Sequence, residues 1–289
     1  MTEIEIFKYC QKHSFNTSFF ETRQIIKNSS ALNSVLEPVL GLFLLKNRQA
    51  IINIRQKRLK IAQVKWKKLK KLAKYLTLVP FLQLAAATGS LTAYNTHPLS
   101  DFDLLIVAQK NRLWLTRILL TGLVGFLGKR RHGQKTKNRI CLNCYLTQDH
   151  LEIEDKEKPH DFHSAQEYGR LTPILEISKD PYQKFINANL WLTGFLQNYP
   201  WSNNQTAKKI KVVCFFKKIR GFFEWLLSNQ IGDWLERKTG QWQTKRIQQK
   251  KENQPPDQVY VSDQCLMFHP QSKSYKLMKQ FGLRMEQLT

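Results

Sequence analysis

The stretch of sequence that decides the fold is Thr88-Gly89-Ser90, followed by ten residues and then Asp101-Phe102-Asp103-Leu104-Leu105. The second part is apolar after Asp103, which predicts a β-strand over residues 101–108. Side chains two residues apart on a strand point to the same side. We therefore expect Asp101 and Asp103 to share one face of a sheet, where paired carboxylates can bind hard cations such as Mg²⁺ or Mn²⁺.

Gly89 and Ser90 follow an apolar run of strand length over residues 81–87. Glycine lets a phosphate approach the backbone because no Cβ is in the way, and a serine hydroxyl can donate a hydrogen bond. The next backbone N–H groups would begin a short helix, whose amino end favours anions. Two plainer interpretations stay open: Ser90 caps a helix, and the two aspartates belong to a turn beside an edge strand.

Acidic residues are distributed very unevenly along the chain. Between residues 38 and 148 there are 21 Lys or Arg residues and only two acids, Asp101 and Asp103. An isolated carboxylate pair in a basic region is expected where metal-bound phosphates bind, because the carboxylates hold the cations and the basic residues hold the anion. The alternative is that two aspartates of a basic protein lie together by chance.

The composition restricts the class of protein. The 289 residues include 46 Lys or Arg and 22 Asp or Glu, a net charge of +24, which predicts a polyanionic partner. Hydrophobic residues make up 42%, enough for a folded core. Five scattered cysteines do not suggest a disulfide framework, so we expect a reducing, cytoplasmic location without a secretion signal.

The longest apolar stretch covers residues 113–128 and contains Arg117. It is shorter than the roughly 20 residues that a membrane-spanning helix needs. We therefore predict a buried helix over residues 112–127 and no transmembrane segment.

The order of apolar runs predicts an α+β fold, with a mixed β-sheet core flanked by helices. We expect a helical, winged-helix-like module over 1–54, a core over 55–155 and a mainly helical region over 156–289, with a linker near 248–258. Helices are expected over 21–27, 31–40, 55–76, 112–127, 185–197 and 212–235, and strands over 81–87, 101–108, 139–146 and 151–153. Residues 41–45 and 50–54 are expected to form a hairpin, and residues 259–289 a strand and a helix.

The helix expected over residues 55–76 has an unusual surface. Its apolar positions are spaced by threes and fours: Leu59, Ala62, Trp66, Leu69, Ala73 and Leu76. The remaining surface carries ten Lys or Arg residues and no acid. From Arg55 to Lys74, this pattern predicts a surface that contacts the phosphate backbone of RNA or DNA. A solvated connecting helix is the alternative.

Cys141 and Cys144 have the spacing of a metal-binding pair. On a regular strand, residues three apart point to opposite faces, and no second pair completes a zinc site. We therefore expect two core cysteines.

The combination of a strand, Gly89-Ser90, ten residues and Asp101-x-Asp103 on a second strand resembles the signature of the DNA polymerase beta-type nucleotidyltransferase superfamily. The wider chain is similar to small bacterial nucleotidyltransferase-domain proteins, in segments such as Trp66-Lys-Lys, Lys129-Arg-Arg131, Ala165-Gln-Glu167 and Phe268-His-Pro270. This resemblance implies a nucleotidyltransferase-type sheet with an amino-terminal helical or winged part.

The resemblance also implies roles for single residues. Gly89 and Ser90 would contact the triphosphate, and Asp101 and Asp103 would bind two Mg²⁺ (or Mn²⁺) ions. The family adds a third carboxylate on a later strand, but the matching strand over 139–146 has no acid, and Asn143 stands at the equivalent position. An amide oxygen can bind a metal but carries no charge and cannot act as a base.

Two functions follow from these patterns. The first is a metal-dependent nucleotidyltransferase that transfers NMP from an NTP, with ATP as the expected nucleotide, to an acceptor and releases pyrophosphate. The second is a nucleotidyltransferase-fold protein with weakened catalysis that acts as a basic module for binding nucleic acid. The intact Asp101/Asp103 pair favours the first, and the missing third carboxylate favours the second.

Overall fold

A computed structural model describes residues 1–11, 17–200, 208–251, 259–268 and 274–286. The strands are β1 (Leu36–Val39), β2 (Leu42–Leu45), β3 (Leu82–Ala87), β4 (Phe102–Ala108), β5 (Ile140–Thr147), β6 (Thr172–Glu176), β7 (Val259–Val261) and β8 (Cys265–Phe268). The helices are α1 (Glu3–Tyr9), α2 (Phe19–Asn28), α3 (Ser30–Val35), α4 (Ala50–Leu76), α5 (Gly89–Thr92), α6 (Leu113–Phe126), α7 (Phe162–Gly169), α8 (Pro181–Ala188), α9 (Cys214–Leu227), α10 (Gln230–Lys251) and α11 (Ser274–Glu286). A 3-10 helix covers Leu190–Gly194.

Six strands form one mixed sheet in the order β6-β3-β4-β5-β8-β7. Strands β4 and β5 are parallel, and the other neighbouring pairs are antiparallel. The predicted α+β class with a mixed sheet flanked by helices is therefore confirmed. Strands on both sides of residue 155 belong to this sheet, because β6, β8 and β7 come from the region expected to be mainly helical.

Helices cover both faces of the sheet because its central strands are apolar on both sides. Leu104 and Ile106 of β4 pack with residues of α4, α6 and α10 on one face. Leu105 and Val107 pack with α7, α8 and the 3-10 helix on the other. This alternation decides which helix faces the aspartates, since Asp103 lies on the same side of β4 as Leu105.

Helix α4 begins at Ala50, earlier than its charge pattern predicts, and ends at Leu76 as expected. Five of the six expected apolar positions are buried, but Leu59 is exposed. Lys65 is buried and does not belong to the basic surface. The basic surface predicted to carry ten Lys or Arg residues therefore lacks Lys65.

The amino-terminal hairpin lies one segment earlier than predicted. Val39 pairs with Leu42 in the two-stranded β1–β2 sheet, whereas residues 50–54 begin α4. A short apolar run without alternation does not distinguish a strand from a helix start, which explains this error. The helix predicted over 31–40 ends at Val35 for the same reason.

Five later predictions also change. Residues 151–153 form no strand, and the helix predicted over 185–197 divides into the end of α8 and the 3-10 helix. The helix predicted over 212–235 divides at Ser228 and Asn229 into α9 and α10. Residues 248–251 of the predicted linker belong to α10, and its remaining residues, 252–258, lie outside the described part. The carboxy-terminal region has two strands before its helix.

Candidate metal and nucleotide site

Asp101 and Asp103 lie at the start of β4, which has β3 on one side and β5 on the other. The interpretation as an edge-strand turn is therefore wrong, because β4 is a central strand. Asp101 directly precedes the strand and Asp103 is its second residue. Oxygen atoms of both carboxylates and the sulfur of Cys141 lie within 4.8 Å of one another. The structure thus brings the two predicted metal ligands together.

Asn143 also belongs to this group, and it lies at a β-bulge in β5. Leu104 pairs with Leu142, but the next residue of β4, Leu105, pairs with Cys144, so Asn143 is the extra residue. A bulge breaks the alternation of a strand from that point on. Asn143 lies two residues after Cys141, the partner of Asp103, and its side-chain amide donates a hydrogen bond of 3.4 Å to Oδ1 of Asp103.

The same bulge corrects the prediction for the two cysteines. Cys141 pairs in register with Asp103 and lies half-buried beside the carboxylates, rather than in the core. Cys144 is a core cysteine, as predicted, and packs on the face where α7 lies. The expectation that the two point to opposite faces fails because one residue is inserted between the paired positions.

Gly89 lies so close to Asp103 that a side chain at position 89 would crowd the carboxylate. A Cβ at this position would lie 3.0 Å from Oδ2 of Asp103, and φ is +68°, which disfavours other residues. The Thr88 amide donates a 3.0 Å hydrogen bond to the Asp103 carbonyl, which fixes the end of β3 beside the start of β4. Ser90 is exposed in the four-residue helix α5, and Thr88 is the residue before that helix, so Ser90 is not its cap.

Arg131 provides the nearest positive charge. Its Nη1 lies 2.8 Å from Oδ2 of Asp101 and 3.3 Å from the sulfur of Cys141. The Arg131 side chain is 42% exposed, whereas that of Asp101 is 15% exposed. Because the arginine approaches from solvent, it can leave the carboxylate without disturbing the core.

The electrostatic state of Asp103 favours a cation. Burial, followed by the negative charges of Asp101 and Glu167, raises the pKa of Asp103 to about 7. The positive charge of Arg131 opposes this rise only in part. Burial and two like charges oppose the ionisation of this carboxyl group, so a bound metal ion would stabilise its charged form strongly.

Cys141 is not a suitable ligand for Mg²⁺ here. Burial and the charge of Asp103 raise its pKa to about 12, so the group is a neutral thiol at pH 7. Hard cations prefer oxygen ligands. The carboxylates therefore remain the candidates for binding a metal.

Sequence reasoning missed Glu167 as a member of the site. It lies on α7, the helix that packs on the face of the sheet where Asp103 points. Its Oε2 forms an ion pair with Nζ of Lys158 at 2.5 Å, and both side chains are mostly buried. The sequence held one signal, the segment Ala165-Gln-Glu167, but it gave no role for the glutamate. Glu152, by contrast, is exposed and follows the far end of β5.

A cavity of about 490 Å³ opens beside the glycine. Gly89 and Ser90 form one side, and Glu167 and Arg170 of the region around α7 form another. Arg55 of α4 also contributes. The cavity therefore joins the predicted phosphate-binding residues to the missed carboxylate.

Lys65 connects α4 to the loop before β4. Its Nζ donates to the Ser100 carbonyl at 2.6 Å and to Oδ1 of Asn138 at 3.2 Å. Ser100 directly precedes Asp101 in the chain. One lysine of the basic helix thus holds the backbone that carries the first carboxylate.

Comparisons of the chain with protein-family models, with curated proteins and with solved structures find no match.

Proposed function

We propose that the chain is a metal-dependent nucleotidyltransferase that transfers NMP from an NTP to an acceptor hydroxyl or phosphate and releases pyrophosphate. The observation that carries the proposal is the convergence of Asp101 and Asp103 beside the close-approach glycine Gly89. Glu167 supports it as a third negative charge that acts on Asp103. ATP is the first nucleotide to test.

The ligand atoms suit Mg²⁺ or Mn²⁺. Burial of Asp103 and the repulsion between the carboxylates both favour neutralisation of the Asp103 charge, which a bound cation can provide in place of a proton. Carboxylate oxygens are the ligands that these ions prefer. When bound, divalent ions neutralise a triphosphate and lower the pKa of an attacking hydroxyl.

The protein's own residues have distinct roles in this proposal. Asp101 and Asp103 hold the metal ions, and Asn143 orients Asp103 through its N–H donor rather than replacing the missing acid. Gly89 leaves the backbone open, and the exposed Ser90 hydroxyl can donate to a phosphate. Arg131 can exchange its contact with Asp101 for a contact with the triphosphate, since guanidinium groups pair well with phosphates.

The cavity provides space for the nucleotide. Its volume of about 490 Å³ lies within the range of small-molecule sites, about 300–1,000 Å³. Arg170 at its wall supplies positive charge near the phosphate-binding residues, whereas Arg55 at the same wall is paired with Glu5. Glu167 lies at the same wall and is the candidate for the third carboxylate.

A labelling experiment tests this function. The protein is incubated with each α-phosphate-labelled NTP and Mg²⁺ or Mn²⁺ in cell extract, and labelled products are separated. We expect a metal-dependent product with the parent protein and none with Asp103→Asn. Glu152→Gln is the control, because it removes an exposed acid far from the site. Equal labelling by the parent and Asp103→Asn would contradict the proposal.

A second function, binding of nucleic acid, is favoured by a stripe of exposed lysines on α4. The stripe consists of Lys57, Lys60, Lys67, Lys71 and Lys74, which follow one another at spacings that keep them on one face. It extends over about 26 Å, at 1.5 Å per residue. Among the described residues, none of the five forms an ion pair with an acid. Such a row can neutralise several phosphates of a nucleic-acid backbone.

A salt titration tests the lysine stripe. Lys60, Lys67, Lys71 and Lys74 are replaced by Gln, which preserves helix propensity. We expect the slope of log K against log salt to flatten by roughly 0.7 to 0.9 for each lost contact on RNA or DNA. The control replaces Lys217, Lys218, Lys238 and Lys245, which are equally exposed but lie on α9 and α10. Equal slopes for the two variants would indicate that α4 is only a solvated connecting helix.

A further inference from the structure

A second group of metal-binding side chains lies at the opposite end of β5. The group consists of His150, Glu157 and Cys265, whose ligand atoms lie within 4.8 Å of one another. Cys265 pairs in register with Leu146, whereas Asp103 pairs with Cys141. Five residues of strand separate these positions, which corresponds to about 17 Å. The group is therefore distinct from the Asp101/Asp103 site.

The three side chains come from three separate segments that the fold brings together. His150 closes the turn after β5 through a bridge to Thr147, and Glu157 ends the turn that follows. Cys265 begins β8 and is held there by a 2.9 Å hydrogen bond from its amide to the Ser262 hydroxyl. Backbone hydrogen bonds thus fix each ligand independently of any ion.

The contacts within the group leave a buried negative charge. Nε2 of His150 lies 2.7 Å from Oε1 of Glu157, whose side chain is only 1% exposed. The other oxygen of Glu157 accepts the Glu154 amide at 3.1 Å. Within the described residues, no Lys or Arg forms an ion pair with Glu157. A carboxylate is costly to bury, and a bound cation would offset that cost.

Access from solvent exists on one side. His150 is 18% exposed, and Glu154 is 39% exposed, with its Oε1 4.0 Å from Nε2 of His150. Cys265 lies fully buried on the inner side, and burial raises the pKa of its thiol. A metal ion that enters past His150 and Glu154 would meet the sulfur last and displace its proton to solvent.

We propose that His150, Glu157 and Cys265 form a Zn²⁺ site, which Glu154 completes as the fourth ligand. Imidazole, thiolate and carboxylate together match the ligand preference of Zn²⁺ and differ from the oxygen set that Mg²⁺ requires. With four protein ligands the site is closed, so its role is structural. It ties the turns after β5 to the start of β8.

Cobalt provides a spectroscopic test. Metal-free full-length protein is titrated with Co²⁺ and then with Zn²⁺. We expect one Co²⁺ per chain to give a thiolate-to-cobalt charge-transfer band and the intense visible bands of tetrahedral Co²⁺, and we expect Zn²⁺ to displace it. Cys265→Ser should abolish the charge-transfer band, whereas Cys141→Ser and Cys214→Ser should retain it. Absence of the band in the parent, or its persistence in Cys265→Ser, would overturn the proposal.

A second variant covers the case in which Cys265→Ser does not fold. His150→Gln changes a ligand near the surface, and circular dichroism checks that its fold is retained. We expect its Zn²⁺ affinity to fall at least about 100-fold, the upper end of the loss caused by removing an outer-sphere partner. Unchanged Zn²⁺ affinity would overturn the proposal. Loss of the band in Cys141→Ser would do the same, since it would place the ion beside Asp101 and Asp103.

Discussion

The two ends of β5 present different ligand atoms. At its start, Asp101 and Asp103 supply oxygen atoms from one short segment of β4, in a region of the sequence that is otherwise basic. At its end, His150, Glu157 and Cys265 supply nitrogen, oxygen and sulfur from three segments. The two proposals accordingly assign different classes of cation, hard ions to the first group and Zn²⁺ to the second. It also separates a site that sequence can predict from one that only the fold assembles.

The largest expected effect is loss of metal-dependent nucleotide binding in Asp101→Asn or Asp103→Asn. Each variant removes a charged oxygen ligand and leaves the packing of the core unchanged. We expect calorimetry with Mg²⁺ and ATP to show no metal-dependent binding, whereas the cobalt spectrum of the other site is preserved. Glu152→Gln should match the parent. Unchanged Mg²⁺–ATP affinity in both aspartate variants would contradict the metal assignment.

Glu167 offers a sharper test of the site because its ion-pair partner can be changed separately. We expect Glu167→Gln to weaken Mg²⁺ binding by about 10- to 100-fold, as for partners that tune a metal site. Lys158→Gln should bind Mg²⁺ at least as tightly as the parent, since it removes a positive charge that is paired with Glu167. If both variants lose thermal stability but keep the affinity of the parent, Glu167 serves only to pair with Lys158.

The raised pKa of Asp103 predicts how stability depends on pH. Between its ordinary range near 3.8 and about 7, the folded protein holds a proton that the unfolded chain has released. Metal-free protein should therefore lose stability as the pH rises through this window. Over the same window, Asp103→Asn should lose less stability than the parent. Each kcal/mol of difference in the free energy of unfolding corresponds to about 2–4 °C in Tm. Thermal melts in EDTA between pH 4 and 8 measure this.

Excess Mg²⁺ provides the control for that prediction. The ion needs the ionised carboxylate, so added Mg²⁺ should stabilise the parent above pH 7 and have little effect near pH 4. It should not stabilise Asp103→Asn at either pH. Parallel melting profiles of the parent and Asp103→Asn across the whole range would show that Asp103 titrates normally.

Sequence predicted the part of the fold that depends on local pattern. The strands before Gly89 and after Asp101, and the apolar side of α4, have clear periodicity or clear turn residues. The hairpin was misplaced because residues 50–54 are apolar without alternation. The sequence predicts that Gly89 leaves room for a phosphate, and the structure shows that it leaves room for the Asp103 carboxylate.

Two features of the site could not be predicted, for physical reasons. The bulge at Asn143 breaks the two-residue period and brings Cys144 to the same face as Cys141, and no residue in β5 signals it. Glu167 and Lys158 reach the site only because α7 packs on the face of the sheet where Asp103 points, which depends on the order of the strands. The order of residues along the chain does not show that these side chains meet.

The smallest and most specific effect is expected for Asn143→Asp. Asn143 now donates to Oδ1 of Asp103, so an aspartate would replace a favourable hydrogen bond with a like charge. Without metal, we expect a lower Tm at pH 8 and a further rise in the pKa of Asp103. With Mg²⁺ or Mn²⁺, the added carboxylate should bind the ion, restore the Tm and raise any transfer of NMP above that of the parent.

Asn143→Leu is the matched control for Asn143→Asp, since it removes the hydrogen bond without adding a charge. It should lower the Tm without metal, and added Mg²⁺ should restore less of it than in Asn143→Asp. The contrast in metal response isolates the new ligand from the lost hydrogen bond. If both variants respond to Mg²⁺ alike and transfer no more than the parent, the side chain at 143 does not reach the metal. The third carboxylate would then have to come from α7, through Glu167.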